Sequence, residues 1–177
     1  MSKTLSSSPK EQPPISTRKE ILIAYFSHSG NTREIANQIH KNVGGDIFEI
    51  VTVKPYPSDY NKVVNQARQE LKDDYKPELK TKVENMQSYN VVLIGYPNWC
   101  STIPMPVAKF LSEYDFSGKT IVPFCTHEGS RLGRSVIDIA KICPMSNISD
   151  GLEIRGSEVR NAQRKVSEWL RKIRMIE

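Results

Sequence analysis

Cysteine is scarce in this chain of 177 residues, and its three cysteines show neither metal-ligand spacing nor a disulfide framework. Cys100, Cys125 and Cys143 are an odd number, and no Cys-x-x-Cys pair occurs. The sequence also lacks any apolar run near the ~20 residues of a membrane span, and its first residues lack the apolar core of a secretory signal. We therefore expect a cytoplasmic protein with reduced thiols and no membrane span.

Positive charge is sparse in the body of the chain, although the formal net charge is +5. Residues 1–19 contain four basic residues and one acidic residue, so residues 20–177 carry only +2. The basic residues do not form a stripe interleaved with aromatic side chains. Nucleic acid is therefore not an expected partner.

Residues 1–18 are rich in Ser, Pro, Lys and Thr and lack apolar periodicity, which predicts a disordered tail before a single domain over residues 19–177. Within the domain, short apolar runs alternate with helical patterns. This alternation predicts an α/β fold with a three-layer, doubly wound, five-stranded parallel sheet of order 2-1-3-4-5. The predicted strands are 21–26, 47–53, 91–95, 120–125 and 151–154, and the predicted helices are 31–42, 59–76, 104–114, 131–142 and 157–174, the last with Ser157 as its cap.

A hydroxyl-rich turn joins the first strand to the first helix. Its sequence is Ser27-His28-Ser29-Gly30-Asn31-Thr32. A helix N-terminus offers unpaired N–H groups and a partial positive charge, so this turn could hold a phosphate. Because it contains no Lys and only one Gly, it matches neither the triphosphate loop nor the dinucleotide loop. It suits one terminal monophosphate bound without a metal, and the alternative is that its polar residues only cap the helix.

Two further loops follow the third and fourth strands, and the predicted topology places all three loops at one edge of the sheet. The first contains Pro97, Asn98, Trp99 and Cys100, and its Trp could stack on a flat ligand ring. The alternative is that this Trp fills the core or a subunit contact. The second loop is Thr126-His127-Glu128-Gly129-Ser130. Its glycine permits close approach of a ligand. Its glutamate could form hydrogen bonds with the edge of a heterocycle. Its histidine is expected by default to lie at the surface.

These three segments resemble the flavodoxin-like family, in its short-chain form, over residues 20–174. The first loop is similar to the family's T/S-x-T/S-G-x-T phosphate loop. The resemblance implies that the cofactor is FMN, that the flavin itself carries the chemistry without a catalytic side chain, and that no metal is needed. The cofactor-binding residues it implies are Ser27, His28, Ser29, Gly30, Asn31 and Thr32 at the phosphate, Pro97, Asn98, Trp99 and Cys100 beside the ring, and Thr126, His127, Glu128 and Gly129 at its pyrimidine edge.

The chain departs from the family pattern in three respects that bear on function. Its body is nearly neutral where electron-transfer flavodoxins resemble one another in being acidic, its third loop has no aromatic residue, and no Gly stands beside Trp99. An uncovered ring face would leave room for a nicotinamide or a quinone. These departures favour an FMN-dependent oxidoreductase using NAD(P)H or quinone over an electron carrier serving a redox partner protein, and both remain open, as does the choice between monomer and homodimer.

Two rival functions come from other classes. Cys125 and Arg131 have the C-x5-R spacing of a phosphatase that uses a thiolate nucleophile at a helix N-terminus. Against this, Glu128 inside the loop would repel a phosphate dianion. The second rival is a flavin-free interaction module, which would act only through its surface.

Overall fold

A parallel β-sheet forms the centre of the computed structural model, which describes residues 20–177; the predicted tail over residues 1–18 lies outside the described residues. The strands pair in the order β2-β1-β3-β4-β5, and β6 also pairs with β4, so β5 and β6 are two pieces of one fifth strand. The α/β sheet of order 2-1-3-4-5 predicted from the sequence is therefore confirmed. The strands are β1 (Ile21–Tyr25), β2 (Asp46–Glu49), β3 (Val91–Pro97), β4 (Thr120–His127), β5 (Asn147–Ile148) and β6 (Leu152–Arg155).

Helices cover both faces of the sheet. Alternate strand residues point to opposite faces, so Ile23 packs in the core with α1 and α5, while Leu22 and Ala24 belong to the core on the α3 side. Continuous burial of β1, β3 and β4 follows from this two-sided covering. The helices are α1 (Asn31–Val43), α2 (Tyr60–Asp73), α3 (Met105–Ser112), α4 (Ser135–Ile142) and α5 (Gln163–Lys172), with 3₁₀ turns at Met86–Ser88 and Gly156–Asn161.

The fifth strand is interrupted by one extra residue. Ile121 of β4 pairs with Ile148, and Phe124 pairs with Leu152, so two residues of β4 lie opposite three residues, 149–151, of its neighbour. This is the arrangement of a β-bulge. Pro123 lies opposite the interruption and has no N–H to donate to a ladder there. The predicted strand 151–154 is thus correct in place, and the short piece β5 precedes it.

Three predicted boundaries differ most from the structure. Helix α4 begins at Ser135 rather than at residue 131, because Arg131 and Gly133 have φ of 55° and 53°, which are incompatible with a right-handed helix. Helix α5 begins at Gln163 after a 3₁₀ turn, so Ser157 does not cap it. Strand β2 ends at Glu49, and the following segment makes an isolated antiparallel bridge from Thr52 instead of continuing to residue 53.

Candidate functional site

The three predicted loops meet at the carboxyl edge of the sheet, where they line one cavity of about 870 Å³. All predicted site residues line it except Ser27, Gly30 and Thr32. The lining residues contributed by these loops are His28, Ser29, Asn31, Pro97, Asn98, Trp99, Cys100, Ser101, Thr126, His127, Glu128, Gly129 and Ser130. The juxtaposition expected from the topology is present, while the contact that each residue makes with a ligand stays a prediction.

The first loop leaves backbone donors free at the start of α1. Gly30 is the N-cap residue with φ of 99°, a value that favours glycine. Ser27 Oγ accepts hydrogen bonds from the N–H groups of Gly30 (3.2 Å) and Arg33 (3.3 Å), so the capping alternative is correct for this one hydroxyl. The N–H groups of Asn31 and Thr32 make no hydrogen bond with residues 20–177. Two donors at a helix N-terminus therefore remain for an anion.

A buried pair of hydroxyls joins the first loop to the end of β4. Thr32 Oγ1 and Thr126 Oγ1 are 2.8 Å apart, and the two residues are 1% and 4% exposed. The side chain of Thr32 thus lies beneath the loop rather than in the cavity. Its predicted contact with a phosphate is left to its backbone N–H.

The second loop is a tight β-hairpin. The N–H of Trp99 donates to the carbonyl of Thr102 (3.0 Å), and the reverse bond measures 3.1 Å. Cys100 and Ser101 between them have φ of 54° and 63°, the pattern of a type I′ turn. A non-glycine residue in this conformation costs roughly 1–2 kcal/mol, so the surrounding structure must hold the turn in place.

The segment before α4 supplies that support. The N–H of Arg134 donates to Ser101 O at 2.8 Å, and Asn98 Nδ2 donates to Arg131 O at 2.6 Å. A Cβ at Gly133 would clash with Ser101 O, so only glycine permits this close approach. The turn at residues 131–134, which the sequence predicted as helix, is therefore the brace of the hairpin.

Trp99 is half-buried, and it both lines the cavity and packs on other aromatic rings. Its ring centroid lies 5.3 Å from that of Phe26, 5.0 Å from Tyr56 and 5.8 Å from His28, all in edge-type geometry. Tyr56 Oη donates to Glu70 Oε1 at 2.6 Å. Burial and this carboxylate raise the pKa of Tyr56, so the phenol stays protonated and remains a donor. The two interpretations of Trp99, core packing and ligand contact, are thus compatible.

His127 has a structural role that the sequence did not reveal. The residue is buried, its Nδ1 accepts a hydrogen bond from the N–H of Gly129 (2.8 Å), and its Nε2 contacts the Glu153 carboxylate. Because Nδ1 is an acceptor, the ring carries its proton on Nε2 and donates it to Glu153. Although burial alone would raise the pKa of Glu153, hydrogen bonds from His127 and Lys165 hold that pKa below its usual value. The default surface position for this histidine is therefore wrong, and its ring fixes the third loop.

The phosphatase alternative is not supported by the geometry around Cys125. The residue is fully buried, and its Sγ donates to Arg131 O at 3.2 Å. Burial, and then the charge of Glu153, raise the pKa of this thiol to about 12, so it is not a thiolate at neutral pH. Strand β4 also continues to His127, so no helix N-terminus follows the cysteine.

Sequence reasoning missed a fourth wall of the cavity, which α2 provides. We call it the α2 wall, and it consists of Tyr60, Val63, Val64, Ala67 and Arg68. Their spacing of three and four residues is the signal that could have revealed a shared helix face, but the same spacing is typical of any amphipathic helix.

His28 separates this cavity from a second one. Its Nε2 donates to Pro57 O at 2.9 Å, across the gap between the first loop and the segment before α2. The second cavity, of about 590 Å³, lies between the first loop and the segment after β2. His28, Ser29 and Ser58 line both cavities.

Comparison with known proteins agrees with this architecture. The chain matches the flavodoxin family over residues 20–173. The chain belongs to the flavodoxin family. Among solved structures, this member of the family is similar to a candidate flavoprotein from Bacteroides eggerthii, with 34% identity, coverage of 89% of this chain and 99% of that chain, and a TM-score of 0.78. A comparison with curated proteins finds no match.

Two further solved structures share the fold of this family member. A candidate flavoprotein from Bacteroides uniformis is 27% identical, with coverage of 86% of this chain and 98% of that chain and a TM-score of 0.77. A flavoprotein from Lactobacillus acidophilus, solved in complex with FMN, is 23% identical, with coverage of 81% of this chain and 97% of that chain and a TM-score of 0.66. Within residues 20–177, no helix is both long and apolar enough to cross a membrane.

Proposed function

We propose that this chain binds FMN in the cavity formed by the three loops and uses it as a redox centre. The observation that carries the proposal is that one cavity joins a helix N-terminus with free donors to a half-buried tryptophan and a braced third loop. The similar Lactobacillus acidophilus flavoprotein was solved with FMN, which supports the same cofactor here. The absence of a cavity of this kind would have favoured a flavin-free interaction module.

The donor set at the first loop fits a monophosphate. The N–H groups of Asn31 and Thr32 would bind its oxygens, and the open space at Gly30, where the nearest atom to an added Cβ is Arg33 Nη1 at 4.0 Å, lets the backbone come close. Residues 20–177 contain no group of His, Cys, Asp and Glu side chains able to hold a metal ion.

The side chains around the ring would orient it and exclude water. Trp99 would cover part of the ring, since its indole lines the cavity and is held by Phe26 and Tyr56. His127 holds the N–H of Gly129 and thereby fixes the loop that would face the pyrimidine edge. FMN supplies the electron-transfer chemistry when bound, and the protein tunes it through such contacts.

We favour two-electron reduction of a small acceptor, with NAD(P)H or a quinone as the partner of the flavin. The hairpin at Cys100 and Ser101 supports this choice over one-electron transfer. Both residues already have positive φ, and the two hydrogen bonds between Trp99 and Thr102 restrict a change of backbone conformation beside the ring. An electron carrier serving a redox partner protein is the second candidate, since the flavodoxin family includes it. We also propose a cytoplasmic location, because Cys100, Cys125 and Cys143 are all free thiols.

The test begins with FMN itself. Purified protein should show the flavin absorbance, mass spectrometry of the released ligand should identify FMN, and each chain should bind one equivalent. Apoprotein that stays colourless after incubation with excess FMN and desalting would refute the proposal. Rapid flavin reduction by NADH or NADPH alone would support an oxidoreductase, whereas reduction only with an added reductase would support the carrier.

A further inference from the structure

We infer that the α2 wall is a subsite for a second ligand, a planar aromatic molecule that carries an anionic group, bound beside the flavin. The inference deepens the proposed function and rests on it for the identity of the neighbouring cofactor. The subsite itself is built from Tyr60, Val64 and Arg68 of α2.

The geometry of α2 presents these three residues to the cavity together. Tyr60, Val64 and Arg68 are four residues apart, which places them on one helix face. Val63 and Ala67 are 6% and 7% exposed and pack α2 against the rest of the protein, while Tyr60 is 78% exposed. An exposed ring at the start of the wall and an apolar side chain behind it form a surface on which a flat molecule can lie.

Arg68 gives the subsite its charge. Among the described residues that line the cavity, Arg68 is the only Lys or Arg. Its guanidinium makes no hydrogen bond or ion pair with residues 20–177, whereas Arg33, outside the cavity lining, is paired with Glu49. The α2 residues three and four positions from Arg68 are Val64, Asn65, Leu71 and Lys72, none of which is acidic. An unpaired guanidinium in a cavity has its full set of donors for an anion.

The position of Arg68 argues against a role in holding the FMN phosphate. The first loop meets the α2 segment at its beginning, where His28 bonds to Pro57. Arg68 lies eight residues beyond Tyr60, and this separation is about 12 Å along a helix axis. The cavity of about 870 Å³ is near the upper end of the ~300–1,000 Å³ range of small-molecule sites, which leaves room for a second ring beside one flavin.

The test measures binding to the FMN-loaded protein by calorimetry, with 1,4-naphthoquinone-2-sulfonate, uncharged 1,4-naphthoquinone and NAD⁺ as probes. Loss of a charge-assisted hydrogen bond corresponds to about a tenfold change in Kd. Arg68→Gln should therefore weaken binding of the sulfonate by about tenfold and leave the uncharged quinone unchanged. Tyr60→Leu should weaken both quinones. Lys72→Gln, one turn further along the same helix and outside the cavity, is the matched control and should change nothing.

The outcomes separate the subsite from the proposed function. If NAD⁺ binds and loses affinity in Arg68→Gln, a nicotinamide dinucleotide is the source of the anionic group; if only the sulfonate does so, the source is a substituted quinone. Equal binding of sulfonate by the wild type and Arg68→Gln would overturn the inference, as would weaker FMN binding in that variant, which would assign Arg68 to the phosphate. Failure of the wild type to bind FMN would refute the proposed function, and sulfonate binding to the apoprotein would still test the subsite.

Discussion

The buried hydroxyl pair that connects the first loop to β4 should behave as an interacting unit. Thr32→Val or Thr126→Val alone leaves the other hydroxyl without its partner at 2.8 Å, in a place where each residue is almost inaccessible to water. An unsatisfied buried polar group costs about 1–3 kcal/mol, whereas replacing both partners by groups of the same shape is nearly neutral. Each single variant should therefore lower the free energy of unfolding by about 1–2 kcal/mol, and the double variant by less than the sum.

Urea unfolding of the apoprotein, followed by far-ultraviolet circular dichroism, measures this cycle. The matched control combines Thr32→Val with Thr52→Val, because Thr52 is also buried but donates to Lys54 O at 2.7 Å and shares no partner with Thr32. Those two effects should add within about 0.5 kcal/mol. If Thr32→Val and Thr126→Val were equally additive, the hydroxyls would not interact, and the link between the two loops would be absent.

Three further variants test other parts of the site. Gly30→Ala should weaken FMN binding, measured by fluorescence titration. The control is Gly118→Ala, because Gly118 also has positive φ and open space but lies away from the cavity, and this variant should lower only the stability. Equal FMN affinity in both variants would contradict the assignment of the first loop. In the native protein a thiol reagent at pH 8 should modify Cys100 well before Cys125, whose pKa is raised to about 12 by burial, and simultaneous modification would be inconsistent with that burial. The pKa of Glu153 in the folded protein is lowered, so its pairing stabilises the protein above the ordinary carboxyl pKa, and this stabilisation is lost as pH falls through the folded pKa. In Glu153→Gln, the melting temperature should therefore fall less as the pH is lowered through the acidic range.

The fold was predictable because its strands carry unusually direct signals. β1, β3 and β4 are continuous apolar runs, and the helices between them require parallel pairing. The meeting of the three loops follows from that topology without any side-chain information. The start of α4 was missed because the helical periodicity extends back through residues 131–134, although Gly133 was a visible signal for a turn.

The parts of the site that could not be predicted depend on partners distant in sequence. Thr32 meets Thr126 across 94 residues, and His127 meets Glu153 across 26. A histidine at the end of a strand has no local feature that distinguishes a ring held by buried hydrogen bonds from a solvated one. The α2 wall was also hidden, because an exposed Tyr and Arg at helical spacing are typical of a solvated face and only the tertiary arrangement turns them towards a cavity.

The extra residue in the fifth strand has a consequence for how this protein tolerates changes in chain length. Removing one residue from 149–151 would leave two residues opposite two of β4, so Ile148 and Leu152 would keep Ile121 and Phe124 as partners in one uninterrupted ladder. Leu152 and Ile154 would then stay in the core and Glu153 would stay beside His127, so a chain shortened there by one residue should keep the order of the third loop. Lengthening there is also accommodated, since added residues can loop out between two strand pieces that each keep their own register with β4. This interruption is therefore the place in the sheet at which a peptide tag or reporter segment could be inserted with the least disturbance to the site.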